Sequence, residues 1–88
     1  MPHPTAAADR AAYFHVRASA EPGVMPRVLE LFTKRGLVPS LYLARVAADN
    51  EVMIEVEVPR LEREAMDYLA ASMRQIASVS VVLAAPRG

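Results

Sequence analysis

Residues 51–58, Glu-Val-Met-Ile-Glu-Val-Glu-Val, form a run with a two-residue period. Val52, Ile54, Val56 and Val58 fall on one side of an extended chain and Glu51, Glu55 and Glu57 on the other, because successive side chains of a strand point to opposite faces. A strand of this kind needs a core against one face and water against the other. The segment Ala-Tyr-Phe-His-Val-Arg-Ala-Ser at 12–19 repeats the pattern, with Phe14, Val16 and Ala18 on one side and Tyr13, His15 and Arg17 on the other.

Between these two strands the period changes. Val24, Met25, Val28, Leu29, Leu31 and Phe32 lie within about 160° at 100° per residue, the single apolar face of a helix. Glu21, Pro22 and Gly23 turn the chain into it. Lys34 and Arg35 stand in its last turn, where cations suit the negative end of the helix dipole, and Gly36 is placed for a left-handed cap. Residues 37–47, Leu-Val-Pro-Ser-Leu-Tyr-Leu-Ala-Arg-Val-Ala, read as a second strand with Pro39 near its start. Asp49 and Asn50 are hairpin residues before the strand at 51–58, and Pro59 breaks that strand. From residue 61, Leu61, Ala65, Tyr68, Leu69, Met73 and Ile76 mark a second amphipathic helix, with Glu62, Arg63, Glu64, Asp67 and Arg74 toward water. Val79, Val81 and Leu83 alternate in a last strand.

Strand, helix, strand, strand, helix, strand is the α+β ferredoxin-like βαββαβ plan, a four-stranded antiparallel sheet with two helices on one face. The expected limits are a disordered tail at 1–10, a domain at 11–85 and a short tail at 86–88. Eighty-eight residues make one domain, and a chain this short hides only roughly 60 to 65% of its unfolded surface. With 53% hydrophobic residues and five methionines, self-association, at least to a homodimer, is expected.

Ten Lys and Arg balance ten Asp and Glu, so no global field draws the chain to nucleic acid or an anionic membrane. The absence of cysteine excludes disulfides and thiolate chemistry and fits a reducing cytoplasm. No signal peptide or membrane span is legible. His3 and His15 are separated and form no ligand set, so neither a metal nor a cofactor is expected. No serine sits in a nucleophile motif. The strand at 51–58 has three glutamates and no aromatic residue, which argues against RNA on the sheet. What remains is the junction at 20–24: free N–H groups at a helix start hold a carboxylate, or the turn merely joins a strand to a helix.

Pro22-Gly23-Val24-Met25, Arg27-Val28, Leu31-Phe32 and Arg35-Gly36-Leu37 resemble the ACT domain pattern, and the βαββαβ order agrees over residues 12–84. Within that family the chain is most similar to the small regulatory subunit of acetohydroxyacid (acetolactate) synthase. The resemblance implies a regulatory protein of branched-chain amino-acid biosynthesis rather than an enzyme. Its partners would be a small amino acid, a thiamine-diphosphate-dependent large catalytic subunit, or both. By position, Ala20, Glu21, Pro22, Gly23 and Val24 would line the ligand site, with Leu41 or Tyr42 contributed from a neighbouring subunit. Ala20 stands where many ligand-binding members have a polar side chain, and Pro39 where Ile is common. Two alternatives are a free-standing dimeric small-molecule sensor serving another enzyme or regulator, and a small ferredoxin-like enzyme using His15 and Arg17.

Overall fold

The computed structural model describes residues 11–87, so the expected tail at 1–10 lies outside the described residues. Strand β1 (Ala11–Ser19) leads to helix α1 (Val24–Thr33), the β2 (Leu41–Ala47) and β3 (Glu51–Pro59) hairpin, helix α2 (Arg63–Arg74) and strand β4 (Val79–Arg87). The strands form one antiparallel sheet in the order β2-β3-β1-β4, the expected ferredoxin-like arrangement. No described helix is long and apolar enough to cross a membrane.

The two alternating strands lie side by side in the centre, Phe14 opposite Val56 and Val16 opposite Ile54. Their inward residues Ala12, Phe14, Val16, Ala18, Val52, Ile54, Val56 and Val58 are buried, together with Val24, Val28 and Phe32 of α1 and Met66, Leu69, Ala70 and Met73 of α2. The Phe14 and Phe32 rings meet edge to face at 5.2 Å and 74°, which adds about 0.5–1.5 kcal/mol to their burial. Tyr13, His15, Arg17, Glu51, Glu55 and Glu57 face the other way, onto an uncovered sheet surface.

Helix α1 ends as its sequence signs it. Gly36 has φ +72°; its N–H donates to the Thr33 carbonyl at 3.0 Å and the Leu37 N–H to the Phe32 carbonyl at 3.1 Å, the paired bonds of a Schellman cap. Lys34 and Arg35 lie just beyond the last helical residue, and the Arg35 guanidinium sits 4.9 Å over the ring of Tyr68.

That contact explains one departure from the expected core. Tyr68 is 58% exposed: its ring is spent on Arg35, and Met66 and Ala70 take the inward phase of α2 instead. A second departure is in β4. The register with β1 slips between Arg17 and Ala18, which pair with Val81 and Val79, so a bulge at Ser80 reverses the alternation. Val79 and Val82 turn inward, whereas Val81 and Leu83 are exposed on the open face. The strand also continues through Pro86 to Arg87, so residues expected in a tail belong to the sheet. Arg87 packs 4.1 Å over Tyr13 and lies 3.8 Å from Glu57. Likewise β3 includes Pro59, and the reversal falls at Arg60, with φ +55°. The second strand begins only at Leu41, leaving Pro39 in the connection.

Strand β2 is tied to α1 by a hydrogen bond from the Tyr42 hydroxyl to the Met25 carbonyl, 2.6 Å long. Burial raises the phenol above its ordinary value of 10.0, so the fold holds the neutral form. The stability this brings is present below about pH 10 and is lost as pH rises through the raised value.

Two substitutions test these contacts. A Cβ at Gly36 meets no atom within 4 Å, so Gly36→Val probes backbone conformation alone and is expected to lower stability by more than about 1 kcal/mol in denaturant unfolding. A neutral result would contradict the left-handed cap. Tyr42→Phe is expected to cost about 1 kcal/mol at neutral pH and to flatten the fall in stability above about pH 10; an unchanged alkaline limb in the melting profile would show that Tyr42 does not cause it.

Candidate functional site

Strand β1 delivers the chain to the helix layer at Ser19, and four residues connect it to α1. The connection is fixed from both sides. The Ser19 N–H donates to the Ser78 carbonyl and the Ala20 N–H to the Asn50 carbonyl, each at 2.9 Å, which anchors the loop to the start of β4 and to the β2–β3 hairpin. Asp49 and Asn50 are both left-handed, at φ 64° and 59°, as a tight hairpin turn requires. Inside the loop the Glu21 N–H donates to the Ser19 carbonyl at 2.8 Å and the Val24 N–H to the Glu21 carbonyl at 3.1 Å.

These bonds decide which amides of the helix start remain. Val24 is used and Pro26 has none, so among the described residues Gly23 and Met25 offer the donors of the first turn that meet no acceptor. No side chain caps this end and its first turn holds no acidic residue, which leaves the positive end of the dipole uncompensated. Gly23 has φ −84° and ψ −9°, ordinary helical values. Its conformational freedom is therefore not called upon, contrary to what a glycine in this turn suggests. What it provides is access, because nothing lies within 4 Å of where its Cβ would be.

Glu21, Pro22 and Gly23 are exposed, Ala20 is half-buried against the core and Val24 is buried. Ala20 to Val24 thus form one continuous feature. The two β2 residues divide. Leu41 and Tyr42 pair with Glu57 and Val56, at the far end of the sheet from Ser19, which pairs with Glu51. Tyr42 points into the helix layer and its hydroxyl still reaches Met25. Leu41 points to the open face, roughly 20 Å along the strand from Ala47, and does not join the loop within one chain.

Sequence reasoning missed the contributions of Met25 and Asn50. Their signal lies in the sheet register, which sets the hairpin turn beside the loop. A hollow of about 580 Å³ runs from Gly23 and Pro26 along the outer side of α1 to Lys34. It lies on the helix surface, so an apolar side chain held at the loop would need cover from a neighbour. Elsewhere, His15 lies on the open face between Glu55 and Leu83. The phenol of nearby Tyr13 is raised, by partial burial first and then by Glu55. Among the described residues no group of three His, Cys, Asp or Glu side chains could hold a metal.

Comparison with known proteins agrees with the fold. The ACT domain of the GTP pyrophosphokinase of Chlorobium tepidum superposes with a TM-score of 0.73 at 12% identity, covering 85% of this chain and 96% of that one. The C-terminal domain of the MgtC protein of Mycobacterium tuberculosis gives 0.72 at 12% identity, over 90% and 88% of the two chains. A homoserine dehydrogenase from Thiobacillus denitrificans gives 0.74 at 16% identity, over 98% of this chain and 19% of that enzyme. At these identities the likeness concerns the fold. No curated protein sequence matches. The model of the ACT-like domain family matches residues 5–86, nearly the whole chain, and the chain belongs to that family.

Proposed function

We propose that this protein is a regulatory domain that binds a small aliphatic amino acid at the loop 20–24, and that its working partner is a catalytic subunit of another protein. The observation that carries the reading is the helix start: two unspent amides, at Gly23 and Met25, at an uncapped and uncompensated dipole end with open space above Gly23. A carboxylate is the ligand group that such a site holds. Glu21, exposed beside it, supplies the acceptor for an ammonium group. The apolar side chain lies toward α1 and is covered by a neighbouring subunit.

Ala20 favours a second reading. It offers no polar side chain to the loop, so the domain also fits a role in which contact with the catalytic subunit, rather than a ligand, is its main task. The resemblance to acetolactate synthase small subunits makes the thiamine-diphosphate-dependent large subunit of branched-chain amino-acid synthesis the first partner to test. Both readings place the protein beside a cytoplasmic enzyme. Neither asks for catalysis by the domain, and His15 and Arg17 are left as surface residues of the sheet.

A thermal-shift panel of amino acids separates the two. Valine, leucine or isoleucine is expected to raise the melting temperature of the wild type, and Gly23→Val is expected to abolish that rise while leaving the fold intact, since the position has helical dihedrals and free space. A rise that survives Gly23→Val would move the ligand elsewhere. Absence of any rise, with co-purification and activation of the large subunit from the native cell, would leave the partner-binding reading; failure of both would sink the assignment to acetolactate synthase.

A further inference from the structure

Helices α1 and α2 run antiparallel over the sheet, and their outer surfaces do not close on each other. Arg35, just past the end of α1, lies over the ring of Tyr68 in the first half of α2. Arg27, in the first turn of α1, lines the same hollow as Gln75 and Ile76 at the other end of α2. The result is a trough of about 400 Å³ between the helices. Its floor is apolar: Leu31 is half-buried against the core and Ile76 is 7% exposed, with the exposed methyl group of Ala71 beside them.

The charges around this trough are unequally spent. Lys34 is paired with Glu30 at 3.9 Å and Arg63 with Asp67 at 3.8 Å, each one helical turn away. Among the described residues Arg27 and Arg35, one at each end of the trough, belong to no ion pair. Both are exposed. The ring contact holds Arg35 at the Tyr68 end without neutralising it, and the exposed Gln75 adds an amide donor at the Arg27 end. An apolar floor with an unpaired guanidinium at either end fits a partner of the inverse pattern, carboxylates flanking aliphatic side chains.

We propose that this trough seats an acidic amphipathic helix of the catalytic partner. About 12 Å of helix rise separates Arg27 from Arg35. Carboxylates seven positions apart on a partner helix are about 10.5 Å apart and lie on one side of it. Aliphatic residues at the third and fourth positions after the first carboxylate then fall on Leu31 and Ile76. An extended segment fits less well, because it would turn N–H and C=O groups onto an apolar floor with nothing there to bond them, whereas a helix satisfies its own. A broad anionic surface fits less well again. Exposed Glu30 on α1 and Glu64 and Asp67 on α2 flank the trough and would repel a membrane or a nucleic acid, while a single helix lies between them.

The inference rests on the reading that the working partner is a catalytic subunit, and deepens it by naming the contact surface. It uses none of residues 20–24, so amino-acid binding at the loop neither requires it nor excludes it.

The test uses an alanine-based helical peptide of about 20 residues, with two glutamates seven positions apart and leucines at the third and fourth positions after the first. Titrated into the isotopically labelled full chain, it is expected to shift amide resonances of residues 27–35 and 68–76, and to bind more weakly as salt rises from about 50 to about 300 mM. Arg27→Glu with Arg35→Glu is expected to weaken it by at least about tenfold, as is replacing the two peptide glutamates by glutamine, whereas Arg63→Gln leaves it unchanged. All three arginines are exposed, and thermal melts verify that the variants fold. Absence of binding, shifts located elsewhere, or equal binding to the double variant overturns the proposal; so does binding of phosphatidylserine-containing vesicles through the same two arginines, which would make the surface a membrane seat. The large catalytic subunit gives the second arm. Peptide binding without activation of that subunit removes the acetolactate synthase assignment and leaves the trough, whereas activation that survives the double variant keeps the partner and removes the trough.

Discussion

Eight side chains on the inner face of β1 and β3 hold this domain together, and none is more than 2% exposed. Strands that alternate so strictly have one phase in which all eight reach the core, and a slip of one residue would bring Tyr13, His15, Glu55 and Glu57 inside and expose the valines. The burial therefore fixes the central register. From it follow the positions of β2 and β4, the side on which both helices pack, and the place where the loop after β1 meets the hairpin after β2. The loop is consequently tied to the sheet at its start, by Ala20 on Asn50 and by Ser19 on Ser78. For a site that recognises a ligand mainly through backbone donors this matters, since each donor is effective only if it is already in position.

The fold was legible wherever local pattern and tertiary demand coincide. β1, β3, α1 and the Gly36 cap show in the residues themselves, because alternation, a helical stripe and a glycine after basic residues each state a local requirement. In β4 the pattern Val79, Val81, Leu83 suggested one continuous face. A bulge depends on how β1 and β4 are paired, and nothing within residues 79–83 announces it. Tyr68 was misassigned for a related reason: its ring is apolar enough to mark the core face of α2, and its place outside goes with the arrival of Arg35 over the ring from the turn that ends α1. Pro86 reads as the end of a strand until the orientation of its missing N–H, toward the free edge, is known.

The candidate site was half legible. Its backbone, from Ala20 to Val24, is contiguous, so reading along the chain finds it whole. The surroundings are assembled from afar: Asn50 is brought by the hairpin, and the Tyr42 hydroxyl is set on the Met25 carbonyl by the sheet. Leu41 and Tyr42 are neighbours in sequence yet face opposite sides of the sheet, and the dense apolar run of 37–47 carries no alternation to say which side each takes. Gly23 gives the opposite lesson, as its value here is the room it leaves and not the dihedral angles it permits.

The pairing of Ala11 with Arg87 has a wider consequence. The first and last described residues stand on adjacent strands, about 5.5 Å apart as a bonded pair. Anything joined at either side would leave the domain from almost the same point. The unit is shaped as a cassette: a host protein could accept it in a surface loop with little distortion of its own backbone, and would sense it through a single narrow joint.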